Sequence, residues 1–341
     1  MKINREPDFR NIEAVLEKRI PSRPTLFEFY LNNRLYSKYG SPYFKERDND
    51  VFPEYQGMIM AYKNLGYDYA TIKGCDLSFK PLGKKTQRTI SLNDNVKIWD
   101  RESFNKFPWP DPEEYDYSRL KEAEDFMPSG MKLIVFGAGG VLENVITLLG
   151  YENLCMLLYD DPQLVEDVFE KVGTIFIQYY DIVSKYPSVG AVMSNDDWGF
   201  NTQTMLSVDD MRRLVFPWHK EIVRRAHQAG KYAILHSCGN YSKIEEDIIN
   251  DMKYDAKHSY EDNIIPVEKA YEAWRGKIAV LGGLDLNFMI CADEEEIFNR
   301  SRTLVEASMR YGGYALGTGN SVPDYVPDSH YEAMIRAALV E

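Results

Sequence analysis

The sequence predicts an α/β fold in which eight parallel strands close into a (β/α)8 TIM barrel. Three observations support this prediction: eight short β-rich runs, helical patterns between them, and no glycine-rich turn after the first strand. Strands that alternate with helices form parallel sheets, and eight strands close a barrel. An open doubly wound sheet is the main alternative, but no G-x-G-x-x-G follows the first run, which ends Glu28-Phe29-Tyr30.

The eight strand candidates are apolar runs, each followed by a polar or glycine cluster and a helical pattern. In chain order they span residues 24–30, 69–76, 132–137, 191–197, 232–238, 255–260, 277–285 and 314–320. One insertion interrupts the alternation. Residues 89–99 alternate in polarity around a turn-like Asn93-Asp94-Asn95, which predicts a β-hairpin after strand two. With no repeat and no low-complexity linker, we predict a single domain over residues 1–341.

The segments between the runs contain helix start and stop signals. Asp161-Pro162 fits an N-cap followed by proline at the first helical position. Ser207 with Asp210 resembles a capping box, and Gly230 suits the end of the same helix. Three more helical patterns begin at Pro266, at residues 293–296 and at Pro327.

Composition narrows the class of protein. The 341 residues include 40 Lys and Arg against 53 Asp and Glu, a formal net charge of −13. This excess of acid argues against nucleic acid or a membrane surface as the main partner. Four cysteines form no disulfide framework, and the chain shows neither a signal peptide nor a membrane-spanning run, so we expect a cytoplasmic protein. The 24 Tyr, 16 Phe and 5 Trp exceed what a plain core requires.

Polar side chains collect at the predicted strand ends, where barrel enzymes place their chemistry. The most informative pair is His236 and Cys238, because residues i and i+2 of a strand point the same way. An imidazole and a thiolate directed into the barrel mouth supply two of the three protein ligands of a catalytic zinc site. Two alternatives stay open: a buried histidine beside an inert cysteine, and a Cys–His nucleophile pair.

Asp196 and Asp197 end the fourth predicted strand. Alternation sends one of them into the barrel, and we favour Asp196, with Asp197 near the rim. A helix-cap or loop role for Asp196 is the alternative. Residues 195–204 combine polar and aromatic side chains, which is typical of a pocket wall.

Longer motifs carry a resemblance to a known family. Residues 194–240 contain the turn DDWG, the Ser-led helix LSVDDMRRLVFPWHK and the segment AHQAGKYAILHSCGN. Further motifs are FPWPDP at 107–112, LLGYENL at 148–154, DDP at 160–162, GGLD at 282–285 and GGYALGTGNSVPDYVP at 312–327. In combination, over most of the chain, these resemble the uroporphyrinogen decarboxylase-like superfamily, which implies a (β/α)8 barrel.

The superfamily has two branches. Uroporphyrinogen decarboxylases of porphyrin biosynthesis are cofactor-free and bind substrate carboxylates with an R-Q-A-G-R type motif. Here Arg34 stands alone in FEFYLNNRL, and a net charge of −13 suits a polycarboxylate poorly. The chain more closely resembles the corrinoid-dependent methyltransferases, which move a methyl group between a small compound and a cobalamin carried by a partner protein. A decarboxylase or a non-catalytic tetrapyrrole-binding relative remains the alternative.

The resemblance also implies a zinc site. Zinc-dependent members of that branch use a His-x-Cys and a later Cys at the end of the last strand. His236 and Cys238 match the first two ligands, but Thr318 stands where the later Cys would fall. We expect Glu261 to replace it. The alternatives are His258, Asp196 and Asp285.

The expected chemistry is O-demethylation assisted by zinc as a Lewis acid, with Asp196 supplying or accepting the proton. An aromatic mouth would accept a methoxyaromatic or, through cation–π contact, a methylammonium compound. The predicted substrate-binding residues are Tyr30, Trp198, Phe200, His258, Tyr260, Asp285 and Asn320. The expected partners are a corrinoid-binding protein and the methyl donor or acceptor, and a homodimer is among the alternatives for the oligomeric state.

Overall fold

Seven parallel strands form one sheet in chain order. The computed structural model describes residues 3, 5–43, 55–79, 92–93 and 96–340. The strands are β1 (Tyr69–Lys73), β2 (Lys132–Phe136), β3 (Val189–Asn195), β4 (Tyr232–His236), β5 (Ala256–His258), β6 (Ala279–Leu281) and β7 (Tyr314–Ala315). Each pairs in parallel with the next, so that the order is β1-β2-β3-β4-β5-β6-β7. Seven of the eight predicted runs are thus confirmed as strands of a parallel α/β fold.

Residues 24–30, predicted as the first strand, form only a single β-bridge. Leu26 pairs in parallel with Leu316 just beyond β7, and the amide of Phe27 donates to the Leu316 carbonyl at 2.7 Å. On the β1 side, side chains replace the ladder: the hydroxyl of Tyr69 donates to the Glu28 carbonyl at 2.9 Å, and that of Thr71 bonds the Phe29 carbonyl. The segment therefore lies between β7 and β1, in the place of an eighth barrel strand, without regular strand geometry.

Helices surround the sheet. In chain order they are α1 (Arg10–Leu16), α2 (Asn33–Gly40), α3 (Tyr55–Asn64), α4 (Arg101–Lys106), α5 (Ser118–Phe126), α6 (Val141–Leu149), α7 (Tyr151–Asp160), α8 (Pro162–Ser184), α9 (Val208–Asp210), α10 (Phe216–Gln228), α11 (Val267–Trp274), α12 (Leu286–Cys291), α13 (Glu294–Tyr311) and α14 (Asp328–Leu339). A 3-10 turn spans Pro112–Glu114, and π-helical turns span Met211–Val215 and Asp247–Met252.

The predicted helix starts are confirmed, and at three of them a side chain binds a backbone amide that has no partner within the helix. The helices α11 and α14 begin after Pro266 and Pro327 without a side-chain cap. The Asp161 side chain accepts from the Leu164 amide at the start of α8, and Ser207 accepts from Asp210 at the start of α9. Asp293 forms a full capping box at the start of α13. Gly230, just after α10, has the positive φ of a helix-terminating glycine, +69°.

The β-hairpin predicted for residues 89–99 falls partly outside the described residues. Of that stretch, residues 92–93 form a turn and residues 96–98 have no strand assignment. The amides of Lys97 and Ile98 both donate to the Leu148 carbonyl, at 2.8 and 3.0 Å. This described part therefore packs against the end of α6 instead of pairing with a neighbouring strand.

The buried apolar side chains form one continuous cluster that includes the strand interiors and the inner faces of the helices. The single-domain organisation remains a prediction, which this continuous core supports. Among the described residues, no individual helix is long and apolar enough to cross a membrane. The helices α6 and α7, which meet at 87°, pass that test only when they are joined.

Candidate functional site

A cavity of about 410 Å³ opens at the carboxyl ends of β1 to β4. Its lining consists of Phe29, Tyr30, Lys73, Phe136, Gly137, Gly139, Glu143, Asn195, Asp197, His236, Cys238, Asn320 and Ser321. A larger open groove of about 1040 Å³ lies at the opposite end of the sheet, beside Lys132 at the start of β2. That groove contains no histidine or cysteine among its lining residues, so the smaller cavity is the candidate site.

Asp197, His236 and Cys238 converge on the wall of this cavity. One ligand atom from each lies within 4.8 Å of the others. The Cys238 Sγ is 4.0 Å from the His236 Nε2, and the Cys238 amide donates to Asp197 Oδ1 at 2.8 Å. A carboxylate, an imidazole and a thiol are each ligand types that zinc binds in proteins, so this group could hold a metal ion.

The structure does not bring the expected third ligand, Glu261, to this group. Glu261 neither joins this group nor lines the cavity. It lies three residues beyond the end of β5, where the chain turns and the Glu261 carbonyl accepts from the amides of Ile264 and Ile265. The third residue of the group is instead Asp197, which was expected near the rim of the barrel.

A chain of hydrogen bonds sets which nitrogen of His236 faces the cavity. The Nε2 of His258 lies 3.1 Å from the carbonyl of Thr318, which can only accept, so Nε2 carries the hydrogen. The Nδ1 of His258 then accepts from His236 Nδ1, 2.8 Å away. His236 Nε2 is therefore left with its lone pair toward Cys238. Burial lowers the pKa of His236 well below its usual range and that of His258 to about 3, so both rings are neutral.

The thiol of Cys238 lies in a largely buried, polar environment. It accepts a hydrogen bond from Asn320 Nδ2 at 3.2 Å and lies 3.5 Å from the Ser259 hydroxyl. Burial, with the nearby Asp197 carboxylate, raises the pKa of this thiol to about 12. Behind it, the buried ammonium of Lys257 donates to the carbonyls of Ser237 and Ser259 at 3.0 and 2.7 Å. Burial lowers the pKa of Lys257 to about 7.

Thr318, where the resemblance implied a later cysteine, bonds a buried glutamate. Its hydroxyl lies 2.6 Å from Glu28 Oε1 and also contacts the carbonyl of Asn320. A hydroxyl has one hydrogen, so it can bond both groups only if Glu28 is the donor to it. Burial raises the pKa of Glu28 to about 8, which keeps the carboxyl protonated. The sequence analysis missed this residue, although an acid inside the apolar run LFEFY was the available signal.

Asp196 lies beneath the cavity and does not line it. The residue is fully buried, and its carboxylate accepts from the amides of Leu142 and Glu143, both at 2.9 Å. Its Oδ2 also lies 2.9 Å from Nε2 of the buried His219 on α10. Asp196 thus holds the N-terminus of α6 and does not point into the barrel mouth, because it alternates with Asn195 and Asp197, which both line the cavity.

Glu143, in the first turn of α6, places a second carboxyl group on the cavity wall. Its Oε2 accepts from the Gly140 amide at 3.0 Å. Burial and the nearby carboxylates of Asp196 and Asp197 raise the pKa of Glu143 to about 8. Sequence reasoning missed this residue as well; its position three residues after Gly140, at a helix start, was the signal.

Two of the predicted substrate-binding residues, Tyr30 and Asn320, line the cavity. His258 does not line it and lies directly behind His236. Asp285 caps α12, where its carboxylate accepts from the amides of Phe288 and Asp262.

The predicted aromatic mouth is only partly present. Trp198 is 1% exposed and packs against Phe216 and His219, and Tyr260 is 2% exposed and lies beside Trp274. Phe200 is exposed and contacts Tyr151 outside the cavity lining. The aromatic part of the lining is instead Phe29, Tyr30 and Phe136.

A parallel α/β barrel with such a donor set at the carboxyl ends of its strands has the architecture of a barrel enzyme. The family model for uroporphyrinogen decarboxylase (URO-D) matches residues 83–339, and the chain belongs to this family. No curated protein sequence matches the chain significantly.

Solved structures resemble the chain in fold. A methyltransferase from Methanosarcina mazei superimposes with a TM-score of 0.71 at 13% identity, over 96% of this chain and 97% of that one. A D-psicose 3-epimerase from Clostridium cellulolyticum H10 gives a TM-score of 0.44 at 12% identity, over 86% and 94% of the two chains. At 13% identity the likeness to the methyltransferase concerns the fold alone. The TM-score of 0.44 for the epimerase is too low to support a conclusion.

Proposed function

We propose that the protein is a methyltransferase that moves a methyl group between an aromatic methyl ether and a corrinoid carried by a partner protein. The observation that carries this proposal is the convergence of Asp197, His236 and Cys238 at the cavity of a URO-D family barrel. The whole-length likeness in fold to a protein described as a methyltransferase supports it. The four free cysteines of the described chain suit the reducing environment of a cytoplasm.

The three side chains fit a zinc ion. Zinc takes nitrogen, sulfur and carboxylate ligands, and His236 offers the lone pair of Nε2 because its other nitrogen donates to His258. Metal binding deprotonates a coordinating thiol outright, even one whose pKa is raised as that of Cys238 is. Bound zinc would supply Lewis-acid polarisation of the heteroatom that carries or receives the methyl group.

The chain's own residues then bind the substrate and hold a proton. Phe29, Tyr30 and Phe136 offer an apolar surface to an aromatic ring. The methyl–oxygen bond breaks as the methyl group passes to the reduced corrinoid, the electron pair stays on oxygen, and a proton must reach that oxygen. We assign the proton to the Glu143 carboxyl, which lines the cavity, in place of Asp196.

The decarboxylase alternative has less support from the cavity. Among the described lining residues Lys73 is the one cationic side chain, and it shares the wall with Glu143 and Asp197. Arg34 lies on the surface, where it pairs with Asp328 at 2.6 Å. A tetrapyrrole with many carboxylates needs more positive charge than this.

Methyl transfer to free cob(I)alamin tests the proposal. The zinc-loaded full-length protein is mixed with cob(I)alamin and 2-methoxyphenol, and the cobalt absorption is followed. We expect methylcobalamin to form with the wild type and with Cys291→Ala, an exposed-cysteine control, and Cys238→Ala to lose the activity. Absence of transfer from a panel of methyl ethers and methylammonium compounds, or full activity in Cys238→Ala, would overturn it.

A further inference from the structure

A short segment after β7, residues 318–320, is hydrogen-bonded toward two of the three candidate metal ligands. The carbonyl of its first residue accepts from His258, and that bond fixes the tautomer of His236. Its last residue, Asn320, donates from the side-chain amide to the sulfur of Cys238 at 3.2 Å. The segment therefore orients the imidazole and bonds the thiol, although it supplies no ligand atom to the group.

The orientation of the Asn320 amide follows from its own hydrogen bonds. Its Oδ1 accepts from the Ser321 backbone amide at 2.7 Å, so its NH2 group faces the sulfur. The hydroxyl of Ser259 also lies 3.5 Å from the sulfur, but it donates to the carbonyl of Gly319 at 2.6 Å. Since a hydroxyl has one hydrogen, Asn320 rather than Ser259 is the donor to the sulfur.

A buried carboxyl group anchors the segment. Glu28 is fully buried, donates to the Thr318 hydroxyl at 2.6 Å and accepts from the Thr318 amide at 3.3 Å with its other oxygen. The Thr318 hydroxyl donates in turn to the carbonyl of Asn320. Glu28 itself neither lines the cavity nor belongs to the metal-binding group. These bonds therefore connect Glu28 to the sulfur of Cys238 only through residues 318–320.

We propose that Glu28 is a positioning residue of the metal site, which acts on Cys238 through Thr318 and the N–H···S bond of Asn320. This inference rests on the proposed function and specifies how its metal site is tuned. A donor to a metal-bound thiolate draws charge away from the sulfur, which leaves the metal a stronger Lewis acid. In this chain, residues 318–320 orient two ligands at the place where the resemblance implied a third.

Cobalt(II) in place of zinc tests the connection, because its bond to a thiolate gives a sulfur-to-cobalt charge-transfer band. Asn320→Leu removes the donor, so its band in the full-length protein should lie at lower energy. Thr318→Val and Glu28→Leu should shift the band in the same direction, and Glu28→Leu should lower cobalt affinity by about 10–100-fold. Glu28→Gln still donates to the Thr318 hydroxyl and accepts from the Thr318 amide, so its band and affinity should match the wild type.

The matched control is Ser308→Ala. It loses a buried hydrogen bond to the Tyr314 carbonyl at the start of β7, and it should keep the wild-type band. Unchanged bands in Thr318→Val and Glu28→Leu would overturn the inference, because a purely structural Glu28 lowers stability without altering the bond to sulfur. Equal shifts in Glu28→Leu and Glu28→Gln would also overturn it, as would a protein that binds no cobalt. Thr318→Val decides the matter if Glu28→Leu does not fold.

The band is read without any methyl transfer, so the two proposals can fail separately. Unshifted bands in a protein that methylates cob(I)alamin would overturn the positioning role alone. Shifted bands in a protein that transfers no methyl group would refute the proposed function and leave the positioning role standing.

Discussion

The Nδ1 atoms of His236 and His258 lie 2.8 Å apart inside the barrel. Through this contact the carbonyl of Thr318 determines which nitrogen of His236 faces Cys238. Positioning of this kind raises metal affinity without adding a ligand.

Replacing His258 therefore tests whether the hydrogen-bond chain serves a metal. His258→Leu removes the acceptor for His236 Nδ1, and we expect zinc affinity to fall by about 10–100-fold. His258→Gln can accept from His236 and donate to Thr318, so it should stay close to the wild type. Zinc competition with a chromophoric chelator measures both. An equal loss of zinc affinity in the two variants would mean that His258 acts through packing and not through its hydrogen bonds.

Alanine substitutions of the neighbours Asp196 and Asp197 should affect different properties, the first the stability of the fold and the second the binding of zinc. Asp196→Ala leaves the amides of Leu142 and Glu143 and the Nε2 of His219 unpaired, so we expect a loss of about 3–5 kcal/mol in the free energy of unfolding. Zinc content of the folded fraction should stay near that of the wild type. Asp197→Ala should lose zinc with a much smaller change in stability. Denaturant titration measures the stability of both variants, and metal analysis measures their zinc content. Loss of zinc in Asp196→Ala with zinc retained in Asp197→Ala would refute the assignment of Asp197 as a ligand.

Glu28 should make stability depend on pH. Its pKa rises from 4.5 to about 8 on folding because the carboxyl is buried. The folded state then holds more protons than the unfolded state between these values, so stability falls as pH rises from about 4.5 to 8, by up to about 1.4 kcal/mol per unit. Glu28→Gln has no carboxyl to titrate at this position, so its stability relative to the wild type should increase as the pH rises from about 4.5 to 8. A difference independent of pH, in denaturant titrations at several pH values, would contradict a protonated Glu28.

Zinc binding should release about one proton from Cys238. With a pKa of about 12 the thiol stays protonated at neutral pH, and it loses its proton when a metal coordinates the sulfur. Calorimetric titrations in buffers of different ionisation enthalpy give the number of protons. Cys291→Ser should match the wild type, and Cys238→Ala should release none. Unchanged proton release in Cys238→Ala would exclude the sulfur as a ligand.

Local patterns in the sequence predicted the strands and helix starts well. A cap such as Asp161 or Asp293 acts within four residues, and a strand candidate such as 132–137 is recognisable from its own apolar run. The segment 24–30 was predicted as a strand but does not form one. Its carbonyls accept hydrogen bonds from the hydroxyls of Tyr62, Tyr69 and Thr71, which lie elsewhere in the chain.

The site could be predicted only where strand geometry alone places a side chain. His236 and Cys238 follow from alternation. Alternation alone did not decide which of Asp196 and Asp197 enters the barrel, because that depends on the register that pairs Asn195 of β3 with His236 of β4, and the amides of α6 bind the Asp196 carboxylate on the other side. Trp198 and Tyr260 look like pocket aromatics in sequence but are covered by Phe216 and Trp274. Which helix covers a side chain is a property of packing that a local pattern does not contain.

X-ray absorption at the zinc edge tests the proposed ligands Asp197, His236 and Cys238, since it identifies the atoms bound to the metal. The zinc-loaded protein should show one sulfur at about 2.3 Å together with nitrogen and oxygen ligands at about 2.0–2.2 Å. The sulfur signal should disappear in Cys238→Ala and persist in Cys291→Ala. A protein that binds no zinc, or a zinc shell without sulfur in the wild type, would contradict the assignment of Asp197, His236 and Cys238 as its ligands.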